Sequence, residues 1–270
     1  MKTSMFLIFV NLIFSLATTA HADYQDPGVF ENFQFQSSSV VRGAEPASAN
    51  DVVSSSTVLI QTSSGGICSG TLIAADLVIT AAHCVVGESL FMIQGSYKGT
   101  SVIKLGQAYR SHPKFSINKI LMGMAGKSAT HDIALIHLGD KFPAVFRPAS
   151  LPAREVRYSE QKVVIAGYGT TFSSKDKNKK SDAGTLRFGA ATVTSYKSGA
   201  SIQLKENGKA YGCPGDSGGP LYTNSRDRLV IIGIHSWGNC DWSTANAESV
   251  GQHLQWINKA AEQLRSGAEM

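Results

Sequence analysis

From residue 57 onward the apolar positions fall in short runs rich in β-branched residues, with Gly, Ser and Asn between them. The runs are TVLIQT (57–62), DLVITAA (76–82), LFMIQG (90–95), DIALIHL (132–138), KVVIAGYG (162–169), ATVTSY (191–196) and RLVIIGIHSWG (228–238). Runs this short, broken by turn residues, predict the strands of an all-β sandwich or barrel. The period changes clearly only near the C-terminus. There Val250, Leu254, Ile257, Ala261 and Leu264 step by three and four, which predicts a helix over 249–264, and Ser249 with Gln252 has the form of a capping box. No internal repeat is visible. The stretches 117–130 and 170–184 read as surface loops.

Residues 1–22 depart from this pattern. Lys2 precedes an apolar run from Met5 to Leu16, and Ala20, His21 and Ala22 supply the small residues that a signal peptidase requires. A cleaved secretion signal is expected, and no membrane anchor, because the run is short for a bilayer and no later stretch approaches about 18 apolar residues. Residues 23–39 are polar, lack periodicity and end in three serines, as a propeptide or linker would.

The whole chain has 270 residues, 43% of them hydrophobic and 17% charged, enough to bury the core of one large or two small domains. Its formal charge of +5 favours anionic partners in general. The one dense basic run, KDKNKK at 175–180, lacks interleaved aromatics and reads as a solvated loop, so no nucleic-acid partner is expected. Cys68, Cys84, Cys213 and Cys240 all lie in the exported part, where an oxidising compartment favours two disulfides. Three pairings are possible, of which Cys68–Cys84 with Cys213–Cys240 closes the shortest loops. No C-x-x-C pair calls for zinc and no acidic loop for calcium, so no metal or cofactor is expected.

A serine hydroxyl is a weak nucleophile until a base takes its proton and donors hold the oxyanion that its attack creates. In YGCPGDSGGP (211–220) the glycines around Ser217 permit a turn that exposes the hydroxyl and aims the backbone N–H groups of Gly215 and Ser217 at one point. TAAHC places His83 beside Cys84 after one apolar run, and HDIALI places Asp132 at the head of another. Taken singly, each has a bland reading as a turn or structural residue. Together, His83, Asp132 and Ser217 form a candidate Ser-His-Asp triad.

TAAHC, DIAL and GDSGGP, in this order, resemble the signature segments of the chymotrypsin/trypsin family of serine endopeptidases. The resemblance covers about residues 40–257 and includes CSGTLI (68–73), GYG (167–169), SWG (236–238) and QWI (255–257). It implies two antiparallel β-barrels, about 40–146 and 147–248, with the C-terminal helix outside them, in a protease domain of residues 40–270. It implies that Ser217 is the nucleophile, His83 the general base and Asp132 its orienting carboxylate, with Gly215 and Ser217 as the oxyanion hole. It also implies that Ser236, Trp237 and Gly238 pair with substrate backbone, and that the disulfides are Cys68–Cys84 and Cys213–Cys240. His112 and His131 match no catalytic position of the family. Peptide or protein substrates, an activating protease, a monomer and secretion to an extracellular or periplasmic space are expected.

Family members are made as zymogens, and VVRGAEPAS resembles their mature start. Val40 would be the new amino terminus and Asp216 its buried partner. Arg42 stands where the family has glycine, and Ser39 rather than Lys or Arg precedes the cut, which argues for an activator unlike trypsin. At the base of the specificity pocket, where trypsin-like members carry aspartate, this sequence has Tyr211, so the main support for a basic preference is missing. Asp241 could still offer a negative charge from the opposite wall. His235 aligns with a histidine that contacts the substrate carboxylate in glutamate-specific relatives. An acidic preference through Tyr211 and His235, and a small or apolar preference in a pocket shortened by Tyr211, both stand open.

Two other functions fit parts of the sequence. G-x-S-x-G also describes the nucleophile turn of an α/β-hydrolase esterase, with Asp241 and His253 following in that fold's order, but Gly218, Gly219 and Pro220 oppose the helix it needs. A catalytically silent binding protein on the protease scaffold would be expected to lack a triad residue, and all three are present.

Overall fold

The computed structural model describes residues 46–118, 131–155, 160–172, 180–196, 201–206, 212–225, 228–238, 240 and 244–267. Their strands close into two six-stranded antiparallel barrels. The first contains β1 (Thr57–Thr62), β2 (Ile67–Ala74), β3 (Leu77–Thr80), β4 (Phe91–Tyr97), β5 (Thr100–Ser111) and β6 (Ala134–Leu138), in the spatial order β1-β2-β3-β6-β5-β4. The second contains β7 (Lys162–Gly167), β8 (Arg187–Tyr196), β9 (Ser201–Glu206), β10 (Pro220–Ser225), β11 (Arg228–Gly238) and β12 (Thr244–Ser249), in the order β10-β11-β12-β9-β8-β7. The all-β, two-barrel architecture expected from the sequence is therefore the one observed.

Alternation within strands fills each barrel. Along β4 the buried residues are Phe91, Ile93, Gly95 and Tyr97, every second position, as the pleat dictates. Val163, Ile165, Ala191, Val193, Ile202 and Leu204 line the second barrel in the same way. The barrels meet through a buried polar seam. Tyr222 of β10 is fully buried, and its hydroxyl lies 2.8 Å from Ser56 Oγ and 3.1 Å from Thr57 Oγ1 at the head of β1. An aromatic ring buried to its hydroxyl needs such partners, since an unpaired buried donor is costly.

The C-terminal helix α1 (Leu254–Ser266) follows a 3-10 turn at Gly251–His253 and packs Ile257, Ala260 and Leu264 inward, on the side of β5 and β6. It thus runs from the second barrel to the first, where Arg265 pairs with Asp76 at 2.7 Å. Gly267 ends it in the left-handed conformation at φ 66°, with its N–H donating to Gln263 O. The capping box expected at Ser249 and Gln252 does not form. Ser249 stays in the β12 ladder opposite Gly233, the 3-10 turn feeds the chain into the helix, and the Gln252 amide donates to the Glu155 carboxylate at 3.1 Å. The helix accordingly starts later than the pattern at 249 suggested.

Of the loops expected from the sequence, 119–130 and 173–179 lie outside the described residues, as do residues 1–45 with Val40, and Tyr211 and Asp241.

Candidate active site

Thr80 ends β3, and the 3-10 turn Ala82–Cys84 that follows carries His83. Asp132 lies two residues before β6 and is fully buried. Its carboxylate accepts three hydrogen bonds: from His83 Nδ1 at 2.7 Å, from His83 N at 2.9 Å and from Ser236 Oγ at 2.6 Å. Burial opposes the charge of Asp132, but His83, Ser236 and the backbone donor outweigh it and hold the carboxyl below its ordinary range. Burial likewise opposes the His83 imidazolium, and the charge and hydrogen bond of Asp132 overcome it, so this histidine titrates above its usual value. With the Nδ1 proton committed to Asp132, the Nε2 lone pair of neutral His83 is the free one.

The loop bearing Ser217 is bent by two glycines in left-handed conformations, Gly215 at φ 100° and Gly218 at φ 82°. A side chain at Gly215 would come within 2.9 Å of Gly169 Cα, and one at Gly218 would run into the Thr80 side chain and the backbone of Ser69 and Ala81. Ser69 ties the loop to the first barrel. Ser69 N donates to Ser217 O at 2.8 Å, Ser69 Oγ donates to Gly215 O at 2.8 Å, and Tyr168 N donates to Ser69 Oγ at 2.9 Å. The Cys84 sulfur lies 3.7 Å from Ser217 O, so the serine backbone sits against the residue next to His83. Among the described residues, the N–H groups of Gly215 and Ser217 donate to nothing, and neither does Ser217 Oγ. These are the donors an oxyanion requires, left open.

Both expected disulfides are present. Cys68–Cys84 joins β2 to the turn that carries His83, and Cys213–Cys240 joins the serine loop to the segment beyond β11. Asp216 is buried, with Oδ1 accepting from Gly169 N and Oδ2 from Cys213 N, each at 2.8 Å. Burial pushes its pKa up to about 7, against the pull of those two donors and of Arg187.

β11 carries the next three candidates. His235 bonds through its backbone to Gly218 and Gly219 on one edge and faces Ala247 on the other, and beyond it β11 is laddered to β12 through Trp237 opposite Asn246 and Gly238 opposite Ala245. The Ser236 hydroxyl is turned inward to Asp132, a contact the sequence reading did not anticipate. His235 is buried, and neither ring nitrogen has a hydrogen-bond partner. Burial pushes its pKa down to about 4, and the nearby His83 adds to this while Asp132 opposes it. The ring lies against Gly212 and Gly238: a side chain at Gly212 would overlap the imidazole, and one at Gly238 would come within 3.1 Å of Nε2.

Asp132 bonds to His83 and not through its neighbour His131, which instead stacks on His112 with ring centres 4.7 Å apart. Ser69 was missed by the sequence reading, since nothing but its place in CSG marks it. No helix follows the nucleophile turn, because β10 begins at Pro220; this removes the α/β-hydrolase reading.

The family described as Trypsin matches residues 41–257. The chain belongs to the trypsin family. It is 25% identical over 226 residues to vitamin K-dependent protein C of Oryctolagus cuniculus, covering 75% of this chain and 48% of that protein. The corresponding protein of Mus musculus is 27% identical over 216 residues, covering 71% and 45%. A trypsin of Sarcophaga bullata is 26% identical over 234 residues, covering 73% and 80%. The chain thus spans about half the length of the two protein C relatives.

Proposed function

We propose that this member of the trypsin family is a secreted serine endopeptidase that cuts peptide bonds through Ser217, His83 and Asp132. The observation that carries the reading is the Asp132 carboxylate, buried and fixed by three donors, with His83 held against it in the tautomer a general base needs. Ser217 Oγ attacks the scissile carbonyl carbon as its proton passes to His83 Nε2. The oxyanion takes the open N–H groups of Gly215 and Ser217. His83 then protonates the leaving amine, an ester to Ser217 remains, and water activated by the same histidine releases the acid. The Ser217–His83 hydrogen bond is formed in the substrate complex, as is common for catalytic contacts that are open in the free enzyme. A substrate strand pairs with the backbone of Ser236 to Gly238.

The chain is made as a zymogen. Residues 1–22 are removed on export and 23–39 on activation, and the ammonium of Val40 then pairs with Asp216. The buried Asp216 carboxyl, held only by backbone donors in the described structure, is the acceptor such an ammonium requires. Of the two specificities left open by the sequence, the buried, unpartnered imidazole of His235 favours a carboxylate side chain before the scissile bond. An apolar residue there would leave its nitrogens without a partner.

Labelling by a fluorophosphonate tests the activity. Attachment to Ser217, absent in Ser217→Ala, is expected. A folded, processed protein that neither labels nor cuts peptides would leave the scaffold as a binding protein.

A further inference from the structure

Three histidines outside the catalytic arrangement converge from separate parts of the chain. His112 follows the end of β5, His131 precedes β6, and His253 closes the 3-10 turn before α1. One ligand atom from each lies within 4.8 Å of the other two. The His112 ring centre is 4.7 Å from that of His131 and 4.9 Å from that of His253, and His131 and His253 are 5.5 Å apart. We propose that His112, His131 and His253 are the ligands of a divalent transition-metal ion of the zinc class, bound where the first barrel meets the C-terminal helix.

The donor set fits this chemistry. Three imidazole nitrogens with no thiolate and no carboxylate in the set suit Zn, Cu, Ni or Co, whereas calcium and magnesium take oxygen ligands. His253 Nε2 lies 2.7 Å from Glu248 Oε1, and both side chains are buried. A carboxylate that accepts the proton of one ring nitrogen fixes the tautomer and leaves the other nitrogen, here Nδ1, as the metal donor, an arrangement frequent behind metal-bound histidines. Backbone bonds position the other two residues: His112 N donates to Ile133 O at 2.9 Å, and Ile133 N to His131 O at 2.9 Å. His131 holds a left-handed conformation at φ 49°, uncommon for a side chain of this size.

His112 and His131 are only partly buried, so one side of the cluster remains open for water as a fourth ligand. Tetrahedral zinc with bonds near 2.1 Å needs nitrogens about 3.4 Å apart, so the stacked rings must tilt inward by a modest amount. The tilt disturbs the contact of Lys114 N with His112 Nδ1, at 3.2 Å, and Lys114 is exposed, so water can replace it. Trp256, 5.1 Å from His112, walls the cluster on the helix side.

The test is calorimetric titration of zinc chloride into the chelator-treated protein, with cobalt(II) absorption as a second readout. The expected result is one zinc per chain, a cobalt spectrum of nitrogen ligation at low coordination number, and a rise in melting temperature with zinc. His112→Gln and His131→Asn should each weaken binding roughly tenfold or more. Asparagine is chosen because it tolerates the left-handed conformation. His83→Ala should bind zinc as the parent does. Absence of stoichiometric binding and of the cobalt spectrum in the parent overturns the proposal, as does binding that survives both cluster substitutions or is lost in His83→Ala.

Discussion

Ser236 Oγ donates to Asp132 Oδ2 at 2.6 Å, the same oxygen that receives the His83 ring at 2.7 Å. The strand proposed to receive substrate therefore also holds the carboxylate that fixes the His83 ring. Hydrogen bonds to a buried charged group are each worth about 1.5–3 kcal/mol. Ser236→Ala is expected to lower kcat by about tenfold with little change in KM, since it loosens Asp132 without touching the substrate side chain. Asp132→Asn should lower kcat by about 10^4-fold, because an amide favours the wrong tautomer of His83. Steady-state kinetics on both variants, with circular dichroism to show retained folding, check the pair; equal, small losses would sink the proposed roles.

The pH profile follows from the same contacts. Asp132 holds the His83 pKa above the ordinary value of 6.5, and the proposed general-base role needs neutral His83. The value of kcat/KM should therefore be low in acid, rise as pH passes through the raised pKa, and reach half its maximum above pH 6.5. A rise centred well below that point contradicts the coupling.

The barrel seam gives a stability prediction. Tyr222→Phe removes a hydroxyl that serves Ser56 and Thr57 and leaves their side chains buried without that partner. A loss of about 1–3 kcal/mol in urea unfolding is expected, with catalytic constants little changed. No destabilisation would mean the seam is held by apolar contacts alone.

The elements read correctly from the sequence are those with a strong apolar signal, such as β1, β7 and β11. β5 was not read, although it is the longest strand, because its outward residues include Ile103 and Leu105, each 57% exposed, so no polar alternation marks it. β12 buries only Ala245 and Ala247 as apolar residues and looks like a polar loop. At the site, TAAHC, DIAL and GDSGGP marked the segments of His83, Asp132 and Ser217, and the structure sets His83 against Asp132 and bends the backbone around Ser217 at Gly215 and Gly218. Ser69 and the inward turn of Ser236 were not legible, since a hydroxyl can point anywhere until the packing of two barrels decides it. The helix start was misread because Ser249 has an alternative use in the β12 ladder.

The proposed partnership of Asp216 with the Val40 ammonium predicts a link between activation and pH. Its folded pKa, raised to about 7 by burial, lies above the ordinary carboxylate value of 3.8. A raised carboxyl contributes stability that is present below its ordinary pKa and is lost as pH rises through the folded one. The unprocessed chain should therefore lose stability between about pH 4 and pH 7, and Asp216→Asn should flatten that loss. After processing, the Val40 ammonium should compensate the charge, so the mature protein keeps its stability at pH 8 and Asp216→Asn abolishes activity. Unfolding of both forms across pH, with amino-terminal sequencing to establish whether the mature chain starts at Val40, decides the point. Equal pH dependence before and after processing contradicts the switch.

His235 gives the sharpest test of substrate choice. Its ring is buried, its two nitrogens have no hydrogen-bond partner, and it packs against Gly212 and Gly238 beside the serine loop. At neutral pH the imidazole is uncharged, since burial brings its pKa to about 4, so an arriving carboxylate meets a single N–H donor. The anion would also raise that pKa, strengthening the contact by drawing a proton onto the ring. The expected kcat/KM is therefore highest for peptides with Glu before the scissile bond, compared with Ala, Phe and Arg. His235→Ala should reduce the Glu value by roughly 10- to 100-fold while leaving the Ala substrate within a few fold, as loss of one charge-assisted hydrogen bond implies. A preference for Ala or Phe that survives the substitution would instead assign a small or apolar pocket, and a strong Arg preference would overturn both readings.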